Sequence, residues 1–370
     1  MITTTSDIQT LFPTILSDYD YDRLFVLCDE HTASLCYPLV PFPDNAIRIV
    51  IPSGEENKGL STLSLVWDEL IRNQATRHSM LINLGGGVVT DLGGFAAATF
   101  KRGIRYINIP TTLLAMIDAS TGGKTGVNYQ GLKNEIGAFH VPEHVLLCPI
   151  FLRTLDSPNI LSGIAEMLKH CLISPVGQKK QGEDLSRAKE SCANVIGPST
   201  TASGALSSFS CMETIADVHN ITADTIASSI AVKEYYVTLD PIEEGPRKAL
   251  NFGHTLGHAI ESLLLDKGTP VAHGYAIAWG MIGELYLSHV VSGLPVYYLR
   301  QAAHLLRELY GPCPITCSDY DTLYSYMQHD KKNISDAILF VLLSAPGSVL
   351  YDNEVPRELI LESLDFIREG

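Results

Sequence analysis

Ser79-Met80-Leu81-Ile82-Asn83-Leu84 runs straight into Gly85-Gly86-Gly87 and then Val88-Val89-Thr90-Asp91-Leu92-Gly93-Gly94, and this stretch constrains the fold more than any other. A short apolar run closed by glycines reads as a buried strand, and the residues beyond it read as a helix. Strand, glycine turn and helix open a βαβ unit, whose parallel sheet must be covered by helices. The apolar runs Leu24 to Cys28, Ala46 to Ile51, Met80 to Leu84 and Tyr106 to Ile109 repeat the strand signal, with helical segments between them. From about residue 155 that signal mostly fades and long amphipathic segments take over. The expected architecture is an α/β domain with a mostly parallel sheet over residues 1–155 and an all-α domain over 156–370. Two domains suit a chain of 370 residues. Between about 174 and 215 the chain is rich in Ser, Thr, Lys and Ala and reads as an irregular surface excursion.

The glycine turn has two readings. Bare backbone at a helix amino terminus can cradle a pyrophosphate, where the helix dipole supplies partial positive charge. A tight turn without any ligand is the alternative, and the spacing is not the G-x-G-x-x-G fingerprint. Asp29, closing the first strand run, can take ribose hydroxyls or simply cap a helix. Gly54-Glu55-Glu56-Asn57-Lys58 is, taken alone, a polar loop carrying a charge pair.

The helical half carries a second signal, in Asn251-Phe252-Gly253-His254-Thr255-Leu256-Gly257-His258 with His273-Gly274 downstream. Two histidines four residues apart share one helix face, a third follows a short break, and neutral imidazole is a common metal ligand. Glycine beside each of the three lets backbone come close to a bound group. A carboxylate partner is available in the segment 161–173 (LSGIAEMLKHCLI), where Glu166 and Lys169 share a face beside an apolar stripe. The plain reading of that pair is a surface ion pair; the sharper one puts Glu166 on a metal and Lys169 on a substrate. Two His and one Glu with open positions is a catalytic zinc arrangement rather than a structural one.

Net charge is −15, from 26 Lys+Arg against 41 Asp+Glu, which argues against nucleic acid and anionic membrane as partners. An anion site therefore has to be a local basic cluster, and Lys101-Arg102, Lys124, Lys133-Asn134, Lys233, Arg247 and Lys331-Lys332 supply candidates. Gly122-Gly123-Lys124-Thr125 is not a P-loop, because position 118 is Asp where the motif needs Gly. The opening MITTTSDIQT lacks a basic n-region and an apolar h-region, and no run is long enough to span a bilayer. Eight scattered cysteines fit a reduced, cytoplasmic chain.

Read together, the blocks GEENK, GGGVVTDLGGFAA, FKRGIRYINIPTTLLAMIDASTGGKTGVN, LKNEIGAF, GIAEMLKH, RKALNFGHTLGHAIE, HGYAIAWGM and DKKN resemble the 3-dehydroquinate synthase family, from about Asp29 to about Gly347. The resemblance implies an NAD-binding α/β domain before a helical metal- and substrate-binding domain. It implies metal ligands at Glu166, His254 and His273, for zinc or cobalt, and it sets His258 beside the substrate as a proton relay instead of on the metal. NAD would be held by Asp29, Glu55, Lys58, Gly86, Gly87, Val88, Asp91, Thr111, Thr112 and the turn Phe151, Leu152, Arg153 and Thr154. Substrate contacts would be Asp118, Lys124, Lys133, Asn134, Lys169, Lys233, Arg247, Asn251 and Lys331, with Lys124 and Lys133 also near the cofactor. Arg102 would reach the phosphate pocket of a second copy, which implies a homodimer.

The implied reaction is the second step of the shikimate pathway, from 3-deoxy-D-arabino-heptulosonate 7-phosphate to 3-dehydroquinate and phosphate. It runs by transient oxidation of C5 with NAD, phosphate elimination, re-reduction, ring opening and aldol closure. The chain departs from the family at Thr90, usually Gly, in a short amino terminus, and in a long excursion after Ser174; none of these removes a site position. The rival readings are another sugar-phosphate cyclase, including the aminodehydroquinate variant, a metal-dependent polyol dehydrogenase, and a non-catalytic binding protein. The dehydrogenase leaves Lys124, Lys133, Lys233 and Arg247 without a reason.

Overall fold

The structure is a computed structural model and describes residues 1–130, 132–175, 203–328 and 337–369. The chain divides into two compact units, Met1–Ile160 with Thr222–Ala227, and Leu161–Ile221 with Ser228–Gly370. The bulk of the 174–215 excursion, residues 176–202, lies outside the described residues.

In the first unit the elements in order are β1 (Ile2–Thr4), α1 (Ile8–Ser17), β2 (Leu24–Asp29), α2 (Glu30–Leu35), β3 (Ile47–Ile51), α3 (Leu60–Arg72), β4 (Met80–Gly85), α4 (Gly87–Thr99), β5 (Arg105–Pro110), β6 (Lys124–Tyr129), β7 (Leu132–Phe139) and β8 (His144–Leu147). Six of the strands form one parallel sheet in the order β1-β8-β5-β4-β2-β3. β2 is buried from Leu24 to Cys28 and β4 along its whole length, as strands of a sheet covered on both faces must be. That is why these strands read as apolar runs, interrupted in β4 only by Asn83, which donates to Asn108 Oδ1 at 2.9 Å. α3 is amphipathic instead, burying Thr62, Leu63, Val66 and Leu70 along one stripe. Two sheet strands escape sequence reading: β1 has three residues, and β8 follows a hairpin, β6–β7, that interrupts the α/β alternation.

Gly122 and Gly123 (φ +87° and +69°) turn the chain into β6, so Lys124 opens a strand rather than the helix that a P-loop requires.

The second unit contains α5 (Ser157–Ile173) from Leu161 on, α6 (Ser203–Ala216), α7 (Ala223–Leu239) from Ser228 on, α8 (His254–Asp266), α9 (His273–Ser292), α10 (Val296–Tyr310), α11 (Tyr320–Gln328), β9 (Leu339–Ala345), β10 (Ser348–Glu354) and α12 (Arg357–Glu369). The antiparallel pair β9–β10 corrects the expectation of an all-α second domain. Leu339 to Leu343 is an apolar run too short for periodicity to separate strand from buried helix. α9 is the hub, buried almost continuously from Gly274 to Ser288 and packed against α8, α10, α12 and β9.

α5 departs from the single buried stripe that its sequence suggests, since every residue from Ser162 to Ile173 is buried. A disulfide joins its Cys171 to Cys211 of α6, with Cα atoms 6.1 Å apart, which corrects the reduced reading for this pair. Nothing in the sequence distinguishes these two from Cys28, Cys36, Cys148, Cys313 and Cys317, which are free. Among the described residues, no helix is long and apolar enough to cross a membrane.

Candidate active site

In the second unit the site is built at the first turns of two adjacent helices. His254 opens α8, His273 opens α9, and His258 follows one turn into α8. Their ligand nitrogens all lie within 4.8 Å of one another, and the ring centroids are 5.1, 5.7 and 5.8 Å apart. The three therefore converge on one point.

Close helix packing makes this possible. A Cβ at Gly280 of α9 would stand 2.1 Å from the Gly253 carbonyl oxygen and 2.6 Å from the Gly257 nitrogen. In a solvent-facing helix, Gly→Ala stabilises by about 1 kcal/mol. Here the sign reverses, because backbone rather than a mobile side chain fills the space. Gly280→Ala is expected to destabilise the protein by about 3 kcal/mol, the upper end of overpacking costs, read from the denaturant midpoint.

α5 supplies the carboxylate. Glu166 is fully buried; its Oε1 lies 3.6 Å from His254 Nε2 and 3.8 Å from His273 Nε2 and has no hydrogen-bond donor. Lys169, one turn on and 1% exposed, forms an ion pair with Glu166 through Oε2. The pair is thus in the interior, which removes the surface reading of it. A buried carboxylate oxygen without a donor, facing two imidazole nitrogens, fits a cation.

The outer contacts of the two histidines point the same way. His254 Nδ1 meets the Phe252 carbonyl at 3.1 Å, and His273 Nδ1 meets Glu261 Oε2 at 3.0 Å. A carbonyl or carboxylate only accepts, so each Nδ1 carries the proton, and in the neutral ring each Nε2 presents a lone pair toward Glu166.

Just upstream, Arg247 is buried and donates from Nη1 to the Pro241 carbonyl at 2.7 Å. Asn251 donates from Nδ2 to Glu243 Oε1 at 2.8 Å, and Glu243 Oε2 is 4.0 Å from Arg247 Nε. Asp240 accepts from the backbone N–H groups of Glu244, Gly245 and Arg247, fixing this turn. Lys233 is buried on α7. Lys331 lies outside the described residues.

In the first unit the glycine turn is built as the sequence suggests, with β4 ending at Gly85, Gly86 as N-cap and α4 starting at Gly87. No side chain caps α4, so its first N–H groups face the turn. A Cβ at Gly86 would sit 3.0 Å from the Thr112 methyl, so a side chain would close the cradle. Thr90 turns its hydroxyl onto the Gly86 and Gly87 carbonyls at 3.2 Å. Asp29 caps α2 through Oδ1, accepting from Thr32 N–H at 2.7 Å.

Lys58 joins the loop GEENK to α4 and β7. Its ammonium is 2.6 Å from Asp91 Oδ2 and also donates to Asn134 Oδ1. Burial holds the Asp91 carboxyl above its ordinary value, an effect that Lys58 offsets only in part. Asn128 donates to Glu55 Oε1 at 2.9 Å and accepts from Asn134 N–H at 2.9 Å, closing a network around Glu55, Lys58 and Asn134. Asn134, expected at the substrate, here bonds to Lys58 and Asn128 within this network. Thr111 is buried and Thr112 partly buried after β5, Phe151 is buried, and Leu152, Arg153 and Thr154 follow it in the same turn. Asp118 is half-buried, whereas Lys124, Lys133 and Arg102 are exposed. Sequence reading missed Asn128, Glu243, Asp240 and Glu261, none of which stands in a recognisable spacing.

A parallel α/β unit with an open glycine turn and a helical unit carrying a His/Glu cluster make up a fold shared with solved sugar-phosphate cyclases. A 2-deoxy-scyllo-inosose synthase, solved with carbaglucose-6-phosphate, NAD+ and Co2+, matches with a TM-score of 0.73 and 25% identity over 98% of this chain and 95% of that one. ValA, the 2-epi-5-epi-valiolone synthase of Streptomyces hygroscopicus subsp. jinggangensis, shares the fold with a TM-score of 0.77 at 24% identity, covering 99% and 96% of the two chains.

The sequence narrows the class. Residues 48–162 match the model of the 3-dehydroquinate synthase N-terminal region, and 163–333 match that of the C-terminal region. The 3-dehydroquinate synthase of Parabacteroides distasonis is 46% identical over 98% of this chain and 96% of its own, and that of Clostridium tetani is 36% identical over 93% and 85%. The chain belongs to the 3-dehydroquinate synthase family, and these relatives support 3-dehydroquinate synthase function.

Proposed function

We propose that this chain converts 3-deoxy-D-arabino-heptulosonate 7-phosphate into 3-dehydroquinate and phosphate, as an NAD- and divalent-metal-dependent lyase. The observation that carries the reading is Glu166 Oε1, buried and without a donor, facing His254 Nε2 and His273 Nε2. Glu166, His254 and His273 would hold zinc or cobalt, which when bound supplies Lewis acidity at the substrate's C5 oxygen. The Gly86 cradle, with Asp29, Glu55, Lys58, Gly87, Val88, Asp91, Thr111, Thr112 and the 151–154 turn, would hold NAD, which supplies reversible oxidation at C5. The NAD+ and Co2+ bound in the solved 2-deoxy-scyllo-inosose synthase complex support NAD and one divalent metal as the cofactors.

The chain's own side chains do the rest. Lys169 holds the buried carboxylate in one orientation and keeps a positive charge beside the reacting centre. His258 is the proton relay at the C5 hydroxyl, one helical turn from His254. Arg247, Lys233, Lys124, Lys133 and Lys331 would each supply positive charge for the substrate's phosphate and carboxylate, which an acidic protein has to offset locally. Asn251 and Asp118 orient hydroxyl groups, and Asn134 adds a polar contact. Arg102, exposed and on left-handed backbone (φ +67°), would reach the phosphate pocket of the partner subunit in a homodimer.

The test is phosphate release from the heptulosonate phosphate with added zinc and NAD far below the substrate concentration. Many equivalents of phosphate per NAD, lost on chelation, are expected. Absence of release, with NADH accumulating on a polyol, would move the assignment to a dehydrogenase.

A further inference from the structure

We propose that Glu284 is a positioning residue for the metal site, an inference that rests on the metal assignment above. α8 begins at His254 with Gly253 as its N-cap, in left-handed backbone (φ +81°) and with no side chain of its own segment capping it. The first N–H groups of a helix need partners from elsewhere when they are buried. Glu284, fully buried on α9, supplies them. Its Oε2 accepts from Gly253 N–H at 2.6 Å, and its Oε1 accepts from Thr255 N–H at 3.1 Å and Leu256 N–H at 3.4 Å. One carboxylate therefore brackets His254 from both sides of the chain, and it belongs to the helix whose first residue is His273.

The two ligand-bearing helix starts are thus one hydrogen-bonded block. A negative charge is also favoured at a helix amino terminus. The block is anchored again beyond Glu284: Ser288 Oγ donates to the Glu284 carbonyl at 2.6 Å and accepts from Leu343 N–H at 2.9 Å. Metal–ligand distances keep to within about 0.2 Å of their standard values, so the residue that fixes the relative placement of His254 and His273 sets the geometry of the site without touching the ion.

Both carboxylate oxygens act as acceptors, so Glu284→Gln must turn an amide nitrogen against a backbone donor. The full-length protein, stripped of metal, is titrated with Co2+ as wild type, Glu284→Gln and Glu284→Asp. Affinity is read by chelator competition, cobalt geometry by its visible absorption, and folding by circular dichroism. The expected result is a folded Glu284→Gln protein with cobalt affinity lower by about 10–100-fold and an altered absorption envelope, and a smaller loss for Glu284→Asp, which keeps the charge. Wild-type affinity and spectrum in a folded Glu284→Gln protein would reduce Glu284 to a helix cap and overturn the proposal. Should Glu284→Gln fail to fold, Glu284→Asp decides: weakened cobalt binding supports the role, and wild-type binding overturns it. A wild-type protein that takes up no cobalt removes the metal assignment itself, and this inference with it.

Discussion

Glu166→Gln is expected to abolish turnover, to lower zinc or cobalt affinity by at least about 100-fold, and to destabilise the metal-free protein by about 3–5 kcal/mol. The stability term follows from burial. Glu166 is 0% and Lys169 1% exposed, so removing the carboxylate strands an ammonium in the interior. An exposed pair three residues apart on a helix would cost only about 0.2–0.5 kcal/mol, and a denaturant titration separates these values easily. Lys169→Met is the companion variant. It leaves Glu166 without its ammonium, and an added divalent ion restores the missing positive charge. Metal should therefore stabilise Lys169→Met more than it stabilises wild type, with turnover lost and metal retained. If Glu166→Gln binds metal like wild type, the cation is held by the three histidines alone and the carboxylate assignment fails.

The parts legible in the sequence are those whose signal is local. β2, β4 and β5 lie inside a sheet covered on both faces, so their buried residues are nearly all apolar, and the polar exceptions Asn83 and Asn108 hydrogen-bond to each other. The three histidines were legible because a helical turn and a helix start bring sequence neighbours together. The same reasoning could not decide between the ion-pair and metal readings of Glu166, because burial of α5 on all sides depends on the helices around it. β9 and β10 were invisible for a related reason: a short apolar run has no period to read, although Ser344-Ala345-Pro346-Gly347-Ser348 marks the turn between them. Glu284 and Asn128 are a third case. Each reaches its partners across 28 to 31 or 73 residues of chain, and an isolated acid or amide carries no trace of that in its neighbours.

The three histidines are nearly equivalent in distance, so the mutations that separate them make the sharpest test of the site. His254→Ala and His273→Ala are each expected to lower metal affinity by at least about 100-fold, whereas His258→Ala keeps it within about tenfold and loses about 10²–10⁴ in kcat, the range of a missing proton relay. The asymmetry rests on the outer contacts. His254 is held at Nδ1 by the Phe252 carbonyl and His273 by Glu261, and in both cases Nε2 is left facing Glu166 Oε1 at 3.6 and 3.8 Å. Fixing the tautomer and the ring angle in this way is what a metal-binding imidazole needs before the ion arrives. Metal content of the purified variants and single-turnover kinetics read the two effects apart. Metal lost from His258→Ala but kept by His273→Ala would exchange their roles, moving the relay onto the histidine that Glu261 holds and leaving both ligand histidines on the first turn of α8.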